Sequence, residues 1–296
     1  MEDIKGLGER LDNIESVRPI VGSLHTIATG GWRVALSRMR ASSRYVEILE
    51  DVLAVLLPRV PSRALERAHV SLQAVESQRP LLLVLASEGG LCGAFNELVL
   101  SGAEKMINER RVEVEEVRIA TFGRRAEVYL RSRGYELFAA YPSSIAAVPS
   151  FQKVQKIGKG ILRSFEEGTI DAIEVIYSPY RTGMTTEPVA RRWLPLERSA
   201  LPTTTAEWPP AIIETDGQAL FQRAMREWVF CRLYQTFMES AASEQSARFR
   251  AMDNAQDNLE RMIEELTQRY HAARQHAITM EMLDLIAGSG LLQGAG

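Results

Sequence analysis

The chain has 296 residues, 46 % hydrophobic and 25 % charged, with a net charge of −3, which gives it enough apolar mass for a real core and excludes bulk disorder. That near balance of charge supplies no general attraction to nucleic acid. No run of 18 apolar residues occurs and the opening MEDIKGLGER lacks the basic start and apolar block of a secretion signal, so the chain reads as soluble, with any membrane link made through a partner.

In chain order, Ile4, Leu7, Leu11, Ile14, Val17, Val21 and Leu24 recur every three or four residues, the spacing of one helix face. Pro19 lacks an amide donor and costs about 3 kcal/mol inside a helix, and Gly22, Gly30 and Gly31 cost about 1 kcal/mol each against alanine. A kink or local unwinding is therefore predicted between Val17 and Trp32. The stripe returns at Val46, Leu49, Leu53 and Leu56, and Pro58 and Pro61 end it.

The middle of the chain alternates strand and helix signals. Strands are predicted at 81–87, 117–122, 136–140, 171–177 and 184–194, and helices at 96–109, 124–133 and 151–166, the last in spite of Gly158 and Gly160. Strands separated by helices imply a mostly parallel α/β sheet. The stretch LPTTTAEWPP at 201–210 reads as a linker. From Gly217 to Ala287 there is no proline and no further glycine, which reads as one helix of about 70 residues, roughly 105 Å at 1.5 Å per residue. Within it Met252, Ala255, Leu259, Met262 and Leu266 keep the alternating three- and four-residue steps of a helix lying along a partner helix. Two stripes at opposite ends of the chain, each too long to bury alone, predict an antiparallel coiled coil of N- and C-terminal helices with an inserted Rossmann-like α/β domain. The expected boundaries are an N-terminal helix at 1–57, an α/β domain at 58–215, a C-terminal helix at 216–288 and a flexible tail at 289–296.

Chemistry-bearing motifs are scarce. LVLASEGGLCGAFN, at 83–96, places Gly89, Gly90 and Gly93 between a strand and a helix, where a phosphate can sit on a helix N-terminus. The spacing fits neither a P-loop nor G-x-G-x-x-G, and no acidic residue ends the next strand, so the glycines read as a structural turn permitting close backbone approach. His271 and His276 are five apart on a helix and face different ways, so no metal and no cofactor is expected. Cys92 and Cys231 lie in apolar company and read as buried free thiols in a reducing compartment. No catalytic residue is nominated: Cys92 has no histidine partner and no serine sits in a G-x-S-x-G elbow. Arg33, Arg38, Arg40 and Arg44 form either a solvated helix face or a basic collar for an acidic partner, which Arg248 and Arg250 could join.

SEQSARFRAMDNAQDN, at 243–258, and YHAARQHAITMEMLDLIAG, at 270–288, closely resemble the gamma subunit of rotary F-type ATP synthases, and GGLCGAFN resembles the glycine turn after that family's first sheet strand. The resemblance implies a central-stalk shaft without chemistry of its own. It would be surrounded by three alpha and three beta subunits and stand by its α/β foot near the epsilon subunit and the membrane ring of c subunits, coupling proton flow to ATP synthesis or hydrolysis. It also implies a peripheral place on the cytoplasmic face of a bacterial inner membrane, reached only through the c-ring. Arg274 and Gln275 match positions that bond a beta-subunit loop, with Arg33 and Arg38 as further beta contacts. Arg248 matches the arginine that faces the first helix, and Thr279 and Glu281 match positions tied to helix-pair coupling. The first helix departs from the family: Thr26 stands for a methionine and Gly31 for a lysine, while Arg33 keeps one positive charge. The rival readings are a coiled-coil adaptor, a regulatory gamma paralogue that does not carry full torque, and an enzyme with a small Rossmann-like domain, which needs a nucleotide constellation that this sequence does not display.

Overall fold

The structure, a computed structural model, describes residues 4–71, 77–114, 116–145, 147–181, 187–197, 200–202, 212–214 and 216–293, the last seven by backbone alone. The chain begins with helix α1 (Ile4–Leu56), a 3-10 turn (Leu57–Arg59) and the short α2 (Ser62–Arg67). Then come β1 (Val70–Ser71), β2 (Pro80–Leu85), α3 (Phe95–Glu113), β3 (Arg118–Phe122), α4 (Arg124–Ser132), β4 (Ala139–Tyr141), α5 (Phe151–Glu166), β5 (Ala172–Tyr177), β6 (Val189–Leu194), β7 (Leu196–Glu197) and α6 (Gly217–Gln293). The order follows the sequence reading, and α2 and the β1–β7 pair are additions to it. The expected linker at 201–210 lies outside the described residues from 203 onward, as does the start of the strand expected at 184–194. The C-terminal helix continues to Gln293, where a flexible tail was expected from 289.

The predicted unwinding between Val17 and Trp32 does not occur: α1 is helical throughout, with Pro19 inside it. Pro19 and Glu15 are both exposed, so the Glu15 carbonyl that loses its amide partner is open to water. The glycines are tolerated because two of them face the opposite helix. A Cβ on Gly22 would lie 3.6 Å from Gln256, and one on Gly31 would lie 3.1 Å from Gln245. The buried positions of α1 include a seven-residue repeat, Val21, Ala28, Ala35, Ser42, Leu49 and Leu56, that extends through the half-buried Ile14 to Leu7. Val17, placed in the stripe by the sequence reading, is 42 % exposed.

Two compact units share the long helices: Met1–Ile27 with Phe249–Gly296, and Ala28–Arg248. In the first, α1 and α6 run antiparallel, with Gly8 opposite Tyr270, Arg18 Nη2 3.4 Å from Glu260, and His25 Nε2 3.7 Å from Asp253. The inward positions of α6 are Met252, Ala255, Leu259, Ile263, Leu266 and Tyr270. Met262 is exposed and Ile263 takes its place, a four-after-four step that follows the 3.6-residue turn where a strict heptad would drift.

In the second unit a five-stranded sheet has the order β4-β3-β2-β5-β6, parallel except for β6, which pairs antiparallel with β5. Both faces are covered, which is why β2 and β5 are buried along their whole length. Leu81, Leu83, Leu85, Ala120, Phe122, Ile173, Val175 and Tyr177 share a core with α5, the end of α1 and the first 22 residues of α6. Leu82, Val84, Ile119 and Ile176 face α3 and α4. Gly158 lets α5 approach α6, since a Cβ there would lie 2.9 Å from both Phe230 and Leu233. Across the same unit, Trp228 Nε1 donates to Glu50 at 3.0 Å and Gln235 Nε2 donates to Ser43 at 3.2 Å, so α1 and α6 are antiparallel here too.

Candidate functional site

In an open parallel sheet, ligands enter the crevice beyond the carboxyl ends of the strands. In this chain that crevice is filled by the chain itself. Beyond β2, the Ser87 amide donates to Asn96 Oδ1 at 3.2 Å and the Ser87 hydroxyl donates to the same oxygen at 2.9 Å and to the Gly89 carbonyl. Asn96 Nδ2 donates to Cys92 Sγ at 3.0 Å. The turn takes left-handed backbone at Leu91 and Gly93, while Gly89 and Gly90 make room for Ile145 and Arg125. At Gly123, φ is +93° and a Cβ would collide with the Ala86 carbonyl, which makes glycine obligatory at the start of α4.

An anion at the N-terminus of α4 would meet a carboxylate already in place. Glu88 Oε2 accepts from the Arg124 amide at 3.2 Å and from the Ser143 amide at 2.7 Å. α6 closes the rest of the edge. Tyr177 donates to Glu239 at 2.7 Å, the hydroxyls of Ser178 and Ser243 lie 3.1 Å apart, and Phe122 meets Phe237 edge to face at 4.9 Å. Burial and the hydrogen bond to Glu239 push the Tyr177 phenol up. What remains open between Ser143, Ser240, Glu244 and Gln245 is a cavity of about 20 Å³, room for a single water.

Past this edge α6 carries a buried ion pair: Arg248 Nη2 lies 2.7 Å from Glu244 Oε1, one turn apart, and Arg248 is 1 % exposed. The pair is close but poorly aligned for hydrogen bonding, and the two Nη nitrogens of Arg248 and Gln245 Oε1 have no hydrogen-bond partner among the described residues. Burial pushes the Glu244 carboxyl up, against the pull of Arg248. Burial and the nearby Glu244 also raise the Cys92 thiol, and burial raises Cys231 to about 11. Both cysteines are free and buried.

The residues nominated from sequence fall into separate places. Gly89, Gly90 and Gly93 form the closed turn. Arg33 is exposed on α1, whereas Arg38 donates to the carbonyls of Val148 at 3.3 Å and Pro149 at 3.1 Å. Arg274, Gln275, Thr279 and Glu281 are all exposed on α6, with the Thr279 hydroxyl bonded to the Gln275 carbonyl at 2.9 Å. Glu88, Glu239 and Glu244 were missed: Glu88 and Glu244 lie inside the quoted motifs but carry no spacing that singles them out, Glu239 lies in none, and only the fold brings them to the strand ends. Among the described residues no group of three or more His, Cys, Asp or Glu is placed to hold a metal, and no helix is long and apolar enough to cross a membrane.

Comparison with known proteins matches residues 3–292 to a family described as ATP synthase. The ATP synthase gamma chain of Parafrankia sp. is 30 % identical over 96 % of this chain and 95 % of that one. The ATP synthase gamma chain of Staphylococcus haemolyticus is 27 % identical over 99 % and 100 %. Among solved structures, a chain of the Euglena gracilis mitochondrial ATP synthase (OSCP/F1/c-ring, rotational state 3) has the same fold, with a TM-score of 0.62 at 15 % identity over 98 % of this chain and 94 % of that one. A chain from the rotor of the same enzyme in rotational state 1 gives 0.56 at 16 % identity. A match running from residue 3 to residue 292 takes in both long helices and the sheet between them, and the chain belongs to the ATP synthase gamma-chain family.

Proposed function

We propose that this chain is the central shaft of a rotary, proton-translocating ATP synthase, turned from its α/β foot and pressing in turn on the catalytic sites of a surrounding alpha/beta ring. The observation that carries the reading is the full-length family match, over residues 3–292. The physical picture agrees with it. A shaft needs a foot that grips its helices, and in the Ala28–Arg248 unit α6 is held by Trp193 Nε1 on the Val229 carbonyl at 2.9 Å and by the Tyr177, Ser178 and Trp228 bonds. It needs no nucleotide site, and the crevice where one would lie is occupied by Glu88 and α6.

In this reading Arg274 and Gln275, with Arg33, meet the beta subunits, where charge-assisted bonds in a closed sleeve are strong and directional. Arg38 is already engaged with Val148 and Pro149, so its contribution to a beta contact is the charge it keeps near the surface. Arg248, Thr279 and Glu281 take the helix-coupling role. Division into an N-terminal helix, an α/β foot and a C-terminal helix belongs to the same proposal. So does peripheral attachment at the cytoplasmic face of a bacterial inner membrane, through epsilon and the c-ring.

The test is co-expression of a tagged chain with the alpha and beta subunits encoded beside it. Recovery of a complex with one copy of this chain to three each of alpha and beta supports the proposal, and recovery of the chain alone or as a homodimer rejects it.

A further inference from the structure

A second feature of the Ala28–Arg248 unit lies away from the sheet edge. Arg67, Ala68 and His69 at the end of α2, Leu162 and Glu166 on α5, and Gln222, Met225, Arg226, Val229 and Phe230 on α6 enclose a cavity of about 280 Å³. Its floor is apolar, made by Leu162, Met225, Val229 and Phe230. Neither Arg67 nor Arg226 has an ion-pair or hydrogen-bond partner among the described residues, although both line the same cavity. The neighbouring stretch of α5 adds Lys156, Lys159 and Arg163, all exposed, and carries no acidic residue before Glu166.

His69 gives an independent sign. Its φ is +60°, a left-handed conformation uncommon for a residue with a side chain. That backbone sets the imidazole edge-on to Phe165 at 5.3 Å, with Nε2 3.5 Å from Glu166, the one carboxylate among the cavity's described lining residues, while the exposed Arg67 and Arg226 guanidiniums stand at its rim. An apolar floor near the lower size limit of ligand pockets, about 300 Å³, with convergent polar groups at the rim, is the arrangement that holds small molecules. Guanidinium pairs select carboxylate or phosphate.

We infer that this cavity binds a small amphipathic anion, its apolar body over Met225 and Phe230 and its carboxylate or phosphate between Arg67 and Arg226. The chemistry is shared by a soluble phosphate monoester and a lipid headgroup. Calorimetric titration of the full chain with phenyl phosphate should show saturable one-to-one binding, at least tenfold tighter than inorganic phosphate or benzyl alcohol. Arg67→Gln and Arg226→Gln should each weaken it about tenfold with unchanged circular dichroism. Co-sedimentation with phosphatidylglycerol vesicles that both variants abolish would assign the site to a headgroup, and phenyl phosphate binding without co-sedimentation would assign it to a soluble ligand. Absent binding, or binding that neither substitution changes, overturns the inference. The variants should still join the alpha and beta subunits, so this outcome is separable from that of the shaft proposal.

Discussion

Gly30 and Gly31 are neighbours with opposite demands. Nothing lies within 4 Å of a Cβ at Gly30, so Gly30→Ala should stabilise α1 by about 1 kcal/mol, read as a rise of about 2–4 °C in the melting temperature. A Cβ at Gly31 would press on the buried Gln245 side chain at 3.1 Å, so Gly31→Ala should gain nothing and is expected to lower the melting temperature. Equal gains from both would mean that α1 and α6 do not approach closely there. The residue-scale difference is invisible in sequence, where the two glycines are chemically identical and only the partner helix tells them apart. Arg248 makes the same point. Its place in the family motif was legible, but its confinement with Glu244 was not. Removing one partner of a buried pair leaves an uncompensated charge, so Arg248→Met should cost about 3–5 kcal/mol, whereas Arg248→Met combined with Glu244→Gln should cost clearly less than the two single changes together. Chemical denaturation of the four proteins measures this coupling, and strict additivity would count against the pair.

Among the elements, the start of β2 is tied to the start of β5 by Asp171, which accepts from the Ser77 hydroxyl and from the amides of Gln78 at 2.9 Å and Arg79 at 3.0 Å. Partial burial works against its ionisation, but those hydrogen bonds win and hold the carboxyl below its ordinary value of 3.8. The sign follows: the stabilisation is complete above that ordinary value and is lost as pH falls through the lower folded value. Asp171→Asn should therefore cost about 1–2 kcal/mol at neutral pH and much less in strong acid, in urea unfolding at several pH values. A loss that does not change with pH would contradict the charge argument. Most elements of the α/β unit were legible because apolar runs and glycine turns agree with one another. The continuity of α1 was not. Its seven-residue repeat passes through Ala28, Ala35 and Ser42, small residues that a search for large apolar side chains skips, and packing against α6 overrides the local cost of Pro19 and the glycines. The strand expected at 184–194 is β6, but its antiparallel direction and the β1–β7 pair escaped for the same kind of reason: short or exposed strands carry little pattern.

For the molecule as a whole, the sequence made the class plain through the length of α6 and the motifs along it, while the filling of the sheet's crevice by Glu88 and α6 needed coordinates. One consequence is practical. Cys92 and Cys231 are buried and their thiols are pushed up, so the folded protein should react with a thiol reagent only slowly, and fully once unfolded in guanidinium. A label can then be directed to Val112→Cys, at a position 88 % exposed on α3. The central claim is that this chain turns inside a ring. With the alpha/beta ring fixed to glass and a bead attached at Val112→Cys, added ATP should drive rotation in one direction with three pauses per turn. A bead that stays still while the same complexes hydrolyse ATP would contradict the account.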